Sequence, residues 1–249
     1  MNDLNSIQGK SALVLGGSRG IGAAIARRLA AGGASVVITY VQGADAANAV
    51  VDDISKAGGR AIAVQADSAN DAAIEAAVAK TKEAFGSFDI LVNNAGVLAI
   101  APIEDFTTED LDRTLAVNVR AAVIASRAAA RVMGQGGRII HIGSTNAERM
   151  PFAGGAVYAM SKSALVGLTQ GLARDLGPKG ITVNVVQPGP IDTDMNPAKG
   201  PMAEGLIPFL AVGRYGHADE VASFVAYLAG PEAANITGAS LMIDGGFAA

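Results

Sequence analysis

A short apolar run, a glycine break, a helix-forming stretch and another apolar run recur along nearly the whole chain, and that alternation leaves few folds open. Ser11–Leu15 is an apolar strand, followed by a glycine-rich turn and a helix over Ile21–Ala31 that Gly32 and Gly33 stop. Ser35–Tyr40 carries the β-branched residues that strands favour. Ala44–Ala57 is helical and ends at Gly58-Gly59, Ala61–Gln65 is the third strand, and Asn70 caps a helix to about Phe85. Asp89–Val92 is almost wholly apolar, as a strand covered on both faces should be. Thr107 and Asp110 resemble a capping box that opens one long helix to about Val132. Arg138–Ile142 and Thr182–Val186 are the fifth and sixth strands, with a helix over Val157–Leu176 between them. Pro190–Gly216 holds four prolines and reads as an irregular, mobile excursion before the helix Asp219–Ala229 and a last strand, Ser240–Ile243. Strands separated by helices form βαβ units. The expected fold is therefore α/β: a single-domain, doubly wound parallel sheet of about seven strands with helices on both faces, spanning residues 1–249 with a substrate-loop excursion at about 190–216. Ligands of such folds bind beyond the C-terminal strand ends.

Composition narrows the function. Half of the residues are hydrophobic and only 4% aromatic, so the core packs through small and β-branched side chains. A net charge of −4 argues against a nucleic-acid or membrane-surface binder. The absence of cysteine excludes disulfides, thiolate metal sites and thiol nucleophiles. Met1–Gly9 is polar and lacks a targeting pattern, and no apolar run reaches membrane-spanning length, so a cytoplasmic protein is expected.

Residues with chemical potential cluster just after strands. Gly16-Gly17-Ser18-Arg19-Gly20-Ile21-Gly22 follows the first strand and opens a helix. Its glycines permit close approach to a phosphate, and the helix start offers free N–H groups to a pyrophosphate. The second strand ends Thr39-Tyr40-Val41-Gln42 with no carboxylate to hold a ribose 2′-hydroxyl. Arg19 could reach a 2′-phosphate, with Ser18 and Tyr40 as donors, which favours NADP(H) over NAD. Asp67, after the third strand, either accepts from an adenine amino group or caps a turn. Asn93-Asn94-Ala95-Gly96 suits a turn beside a cofactor, and equally any turn. Ser144, after the fifth strand, could bond a substrate carbonyl, with Thr145 as a nearby competitor. Asn118, in the middle of a helix, either bonds backbone or holds a water. Pro188-Gly189-Pro190-Ile191-Asp192-Thr193 could close over the nicotinamide end.

Tyr158 and Lys162 stand four residues apart on one expected helix, hence on one face. A neighbouring ammonium lowers a phenol pKa, which would make Tyr158 a usable acid or base near neutral pH. His141 reads as a packed core residue and His217 as part of a helix start, so no metal centre is expected. A serine hydrolase is disfavoured because no Gly-x-Ser-x-Gly elbow occurs.

With these residues in view, the chain from Lys10 to Gly246 resembles a short-chain dehydrogenase/reductase. The matching elements are Gly16-x-x-x-Gly20-Ile21-Gly22, Asp67, Asn93-Asn94-Ala95-Gly96, Asn118, Ser144, Tyr158-x-x-x-Lys162, Pro188-Gly189 and Thr193, with Ile236-Thr237-Gly238 and Asp244-Gly245-Gly246 near the end. The resemblance implies an NADPH-dependent carbonyl reductase, reversible as an alcohol dehydrogenase, on a Rossmann-type fold. Tyr158 would be the general acid/base, Lys162 its activator and a ribose contact, Ser144 the carbonyl orienter, and Asn118 the holder of a relay water. The cofactor would lie against Gly16, Ser18, Arg19, Gly20, Ile21, Gly22, Tyr40, Asp67, Asn94, Ala95, Gly96, Tyr158, Lys162, Pro188, Gly189, Ile191 and Thr193. A homotetramer is implied, built through the two long helices and the last strand. Leu15 departs from the family's usual threonine, which removes a hydroxyl expected to tie the first strand to the Asn93 turn.

Leu13–Gly22, Arg149-Met150-Pro151 and Val186–Pro197 further resemble a bacterial subgroup described as cyclic-di-GMP-binding biofilm dispersal mediators, which implies a cyclic dinucleotide as an alternative ligand, with Arg19 and Arg149 as phosphate contacts. A third alternative is a 3-oxoacyl-[acyl-carrier-protein] reductase, disfavoured because Met133–Arg138 is short and carries little positive charge. By position, Asn146, Met150, Phe152, Met195, Met202 and Leu206 should wall the substrate pocket, which suits a medium-sized apolar carbonyl compound.

Overall fold

The computed structural model describes residues 7–249, so residues 1–6 of the polar N-terminal stretch Met1–Gly9 lie outside the described residues. The first half alternates as β1 (Ser11–Leu15), α1 (Gly20–Ala31), β2 (Ser35–Tyr40), α2 (Ala44–Lys56), β3 (Arg60–Gln65), α3 (Asp71–Phe85) and β4 (Ile90–Asn93). The second half comprises α4 (Thr108–Thr114), α5 (Ala121–Val132), β5 (Arg138–Ile142), α6 (Ala156–Leu176), β6 (Thr182–Pro188), β7 (Ile191–Asp192), α7 (Ala203–Leu206), β8 (Gly216–His217), α8 (Ala218–Ala229) and β9 (Ser240–Ile243). Seven strands form one parallel sheet in the order β3-β2-β1-β4-β5-β6-β9. The chain leaves β3 at one edge and returns to β4 beside β1, which opens a crevice beyond the strand ends.

The apolar runs follow from a sheet covered on both sides. Ala12, Val14, Val36, Ile38, Val92 and Ile140 face α1, α2 and α8, while Leu13, Leu15, Val37, Leu91 and Ile139 face α3 and α5. Each fully buried aliphatic side chain contributes about 1.5–3 kcal/mol. Alanines from α1 and α8 meet in the first of these cores, which lets the two helices lie close. Asn70 caps α3, its side chain accepting from Ala73 N at 3.2 Å. Among the described residues no helix is long and apolar enough to cross a membrane.

Two expectations change. The single helix expected from Thr107 to Val132 is interrupted by a widened π-helical turn at Leu115–Arg120 between α4 and α5. Asn118 in that turn is held from outside the helix: its Oδ1 accepts from Val97 N at 2.8 Å, and its Nδ2 donates to Val97 O at 3.0 Å. A wider turn is the usual way to accommodate such a distortion. At the helix start, Thr107 Oγ1 accepts from Asp110 N, but the Asp110 carboxylate accepts from the Thr107 hydroxyl and not from its backbone.

The stretch Pro190–Gly216 is also more ordered than an irregular excursion. β7 pairs with β8 in a small parallel sheet. Ala203, Leu206, Leu210 and Tyr215 pack around Phe247, so the segment is pinned to the C-terminal end of the chain.

Candidate active site

A cleft of about 630 Å³ opens at the C-terminal ends of β1, β4 and β5, where the strand order places it. The glycine turn forms one end. Gly16 and Gly20 have φ of +71° and +52°, a region that side chains rarely enter. A Cβ on Gly22 would fall inside contact distance of the Gly16 carbonyl oxygen and 2.5 Å from Asn94 Nδ2. The turn is therefore built to keep backbone N–H groups bare at the start of α1.

Asn94 also resolves the departure at Leu15. Its Nδ2 donates to Gly16 O at 2.8 Å and to Leu15 O at 3.3 Å, so an amide from the end of β4 supplies the tie that the missing hydroxyl would have made. Thr39 adds a second tie, accepting from Gly16 N through its side chain at 3.0 Å. Asn93 points elsewhere. It is buried, and its Nδ2 lies 3.0 Å from His141 Nδ1.

All the candidate cofactor residues line the cleft, from Gly16, Ser18, Arg19, Gly20, Ile21, Gly22 and Tyr40 through Asp67, Asn94, Ala95 and Gly96 to Pro188, Gly189, Ile191 and Thr193. Arg19 is exposed and has no ion-pair partner among the described residues. Asp67 caps its turn, with Oδ1 accepting from Ala69 N at 2.9 Å, and still borders the cleft. Gly189 is held so close to Asp244 that a Cβ there would lie 2.7 Å from Asp244 Cα.

Ser144, Tyr158 and Lys162 converge on the same cleft, Ser144 from the end of β5 and the other two from α6. Thr145, the competitor of Ser144, is committed elsewhere, donating to Asp244 Oδ2 at 2.9 Å. Lys162 is buried and donates to the Ile142 carbonyl at 3.1 Å. Burial without a counter-charge pulls its pKa down to about 8.

The expected lowering of the Tyr158 pKa is reversed. Desolvation by burial pushes the phenol up, and outweighs a hydrogen bond with Ser144 that acts in the other direction. Lys162 Nζ lies 5.7 Å from the centre of the Tyr158 ring and donates to the Ile142 carbonyl.

Of the four candidate catalytic residues, Asn118 alone does not border the cleft. Besides clamping Val97, its Nδ2 donates to Ser161 Oγ at 3.0 Å, and Ser161 donates to Tyr158 O at 2.7 Å. The amide thus bonds protein groups, and it steadies the helical turn that carries Tyr158. A side chain at Gly96 would meet Lys162 Nζ at 3.4 Å and Asn118 Oδ1 at 3.6 Å, so these three lie together.

Two further residues carry no signal that singles them out in the sequence. Gln187, fully buried on β6, accepts from Ser144 N at 2.6 Å and donates to Ser240 Oγ at 3.2 Å. Phe247, fully buried near the C-terminal end of the sequence, lines the cleft beside Phe152, Met202 and Leu206. No local pattern marks Gln187, whereas Phe247 at least adjoins the Asp244-Gly245-Gly246 match. Of the expected pocket wall, Asn146, Phe152, Met195, Met202 and Leu206 line the cleft. Met150 does not: its thioether turns back onto Gly155. Arg149 also points away, donating to Phe247 O at 2.6 Å.

His141 is fully buried on β5 with a pKa lowered by desolvation to about 4. The unfolded chain, with a pKa near 6.5, takes up a proton before the folded one. Stability is therefore fully present above pH 6.5 and should fall by roughly 3 kcal/mol as the pH drops toward 4. Urea midpoints of the parent and of His141→Gln at pH 7 and 4.5 check this. The variant should lose less on acidification.

The sheet order, the glycine turn and the convergent serine, tyrosine and lysine define a dinucleotide-binding oxidoreductase of the doubly wound class. The family described as enoyl-(acyl carrier protein) reductase matches residues 16–248, and the chain belongs to the short-chain dehydrogenase/reductase family. It is 62% identical to a short-chain dehydrogenase/reductase structure from Serratia marcescens, covering 98% of this chain and 99% of that one with a TM-score of 0.96. A short-chain dehydrogenase from Burkholderia cenocepacia, solved in complex with NADP, is 58% identical with the same coverage and TM-score. A curated relative from Escherichia coli, the cyclic-di-GMP-binding biofilm dispersal mediator protein, is 50% identical over 246 residues, 99% of this chain and 100% of its own.

Proposed function

We propose that the protein is an NADP(H)-dependent carbonyl reductase, running in reverse as an alcohol dehydrogenase. The observation that carries this reading is the convergence of Ser144, Tyr158 and Lys162 in one cleft with the glycine turn. The bare N–H groups at the start of α1 fit a pyrophosphate. Arg19, without an ion-pair partner among the described residues and beside a β2 end without a carboxylate, fits a 2′-phosphate. When bound, the dinucleotide supplies the hydride.

The protein's share is binding and proton transfer. Ser144 holds the carbonyl oxygen by a hydrogen bond, its one hydroxyl proton rotating from Asn146 Oδ1 while Asn146 N still donates to its oxygen, and Tyr158 donates its phenolic proton to the carbonyl oxygen. The phenolate left behind is stabilised by the buried charge of Lys162, whose field is strong in a site of low dielectric. Asn118 holds Ser161, and through it the turn of α6 that carries Tyr158; its Oδ1 keeps one lone pair for the relay water assigned to it.

Phe152, Met195, Met202, Leu206 and Phe247 give the substrate end an apolar lining that suits a medium-sized ketone or aldehyde. The test is a carbonyl panel, including a carrier-bound β-ketoacyl thioester, assayed with NADPH and NADH at ~340 nm. No turnover of any member would overturn the reading, and strong preference for the thioester would favour the carrier-protein alternative. Arg19→Ala should raise the KM for NADPH by about tenfold, the loss of one charge-assisted contact, and leave that for NADH nearly unchanged.

The named relative supports a second reading, in which a cyclic dinucleotide binds the same fold. Arg149 is not available for its phosphates, which leaves Arg19 as the candidate. Calorimetric titration with cyclic-di-GMP, with and without NADPH, separates the two. A homotetramer in the cytoplasm is part of the proposal, and light scattering after size exclusion tests the assembly.

A further inference from the structure

Arg149 lies in the loop after β5 and touches the other two segments that build the substrate end of the cleft. Its Nη1 donates to the Phe247 carbonyl at 2.6 Å and reaches the Ala249 carbonyl at 3.5 Å, 98 and 100 residues along the chain. Its guanidinium lies 5.2 Å from the centre of the Phe209 ring and 5.8 Å from that of Phe247. These rings meet edge to face, with centroids 6.1 Å apart at 78°. Phe209 lies in the short turn after α7, and Phe247 is the buried ring on which Leu206, Leu210 and Tyr215 pack.

The same loop is wired to Ser144. The Ser144 hydroxyl donates to Asn146 Oδ1 at 3.1 Å, and Asn146 Nδ2 donates to the Arg149 carbonyl at 3.0 Å. A second tie runs in parallel, from Thr145 Oγ1 to Asp244 Oδ2, which also accepts from Ala248 N at 2.9 Å. The C-terminal segment and the excursion are thereby joined to the group that orients the carbonyl.

We infer that Arg149 is a positioning residue that latches the C-terminal segment and the α7 region to the Ser144 loop, and so sets which carbonyl compounds fit. A guanidinium suits this role because it stacks on rings while its N–H groups donate in the plane. The kinetic part rests on the carbonyl-reductase reading; the structural part does not.

The test compares the NADPH-saturated parent with Arg149→Met, which keeps the length and apolar stem of the side chain. Hydrogen–deuterium exchange should quicken by about tenfold over residues 203–210 and 244–249, from the loss of two hydrogen bonds and two ring contacts, while residues 16–22 stay unchanged. Turnover of diacetyl should fall by about tenfold while that of the bulkier acetonaphthone falls less, because a loosened wall misplaces a small substrate most. Unchanged exchange over both segments overturns the latch, as does an equal proportional loss on both ketones. Quickened exchange in a protein whose parent reduces neither ketone supports the latch and rejects the reductase reading.

Discussion

Tyr158→Phe is expected to slow carbonyl reduction by about 10²–10⁴-fold, the range for removing a positioned general acid. NADPH affinity should change little, because the ring and its packing are retained. Burial keeps the phenol protonated well above neutrality, so it is held as an acid and not as a standing phenolate. In the proposed mechanism Lys162, buried beside the ring, bears the charge that acts once the proton has left. Reduction as fast as the parent's, with NADPH still bound, would remove Tyr158 from the mechanism. Steady-state rates with the best ketone of the panel, alongside an NADPH titration, are the measurement.

The second large effect is expected at Gly22→Ala. The added methyl meets the Gly16 carbonyl oxygen and the Asn94 amide that bonds it, and both belong to a turn tied to β2 and β4. Neither can yield without opening the turn, unlike the free end of a flexible side chain. Overpacking of this kind costs about 1–3 kcal/mol, so NADPH affinity should fall roughly tenfold to a hundredfold. Gly134→Ala is the control, since a Cβ there meets nothing within 4 Å. Equal affinity in the Gly22 variant and the control would mean that the turn does not hold the dinucleotide.

Much of the site is legible before folding because its parts obey local rules. A glycine-rich turn after an apolar strand announces a bare helix start, and Asn70 announces its helix through a bond three residues on. Asn94 is legible as a turn residue, but not as the replacement for the hydroxyl missing at Leu15. That bond crosses 78 residues and depends on β1 and β4 being neighbours. Arg149 misleads for the same reason: a lone arginine after a strand suggests a phosphate contact until the distant Phe209 and Phe247 are seen to enclose it.

The sequence by itself determined the alternation of strand and helix, the two-sided burial of the sheet and the helical spacing of Tyr158 and Lys162. These follow from periodicity and backbone preference within a few residues. Only the tertiary structure decided the direction of the Tyr158 shift, the widened turn at Asn118 and the wall formed by Phe247. Desolvation, an external clamp on a helix and the wall of a cleft each depend on groups brought together from far apart in the chain.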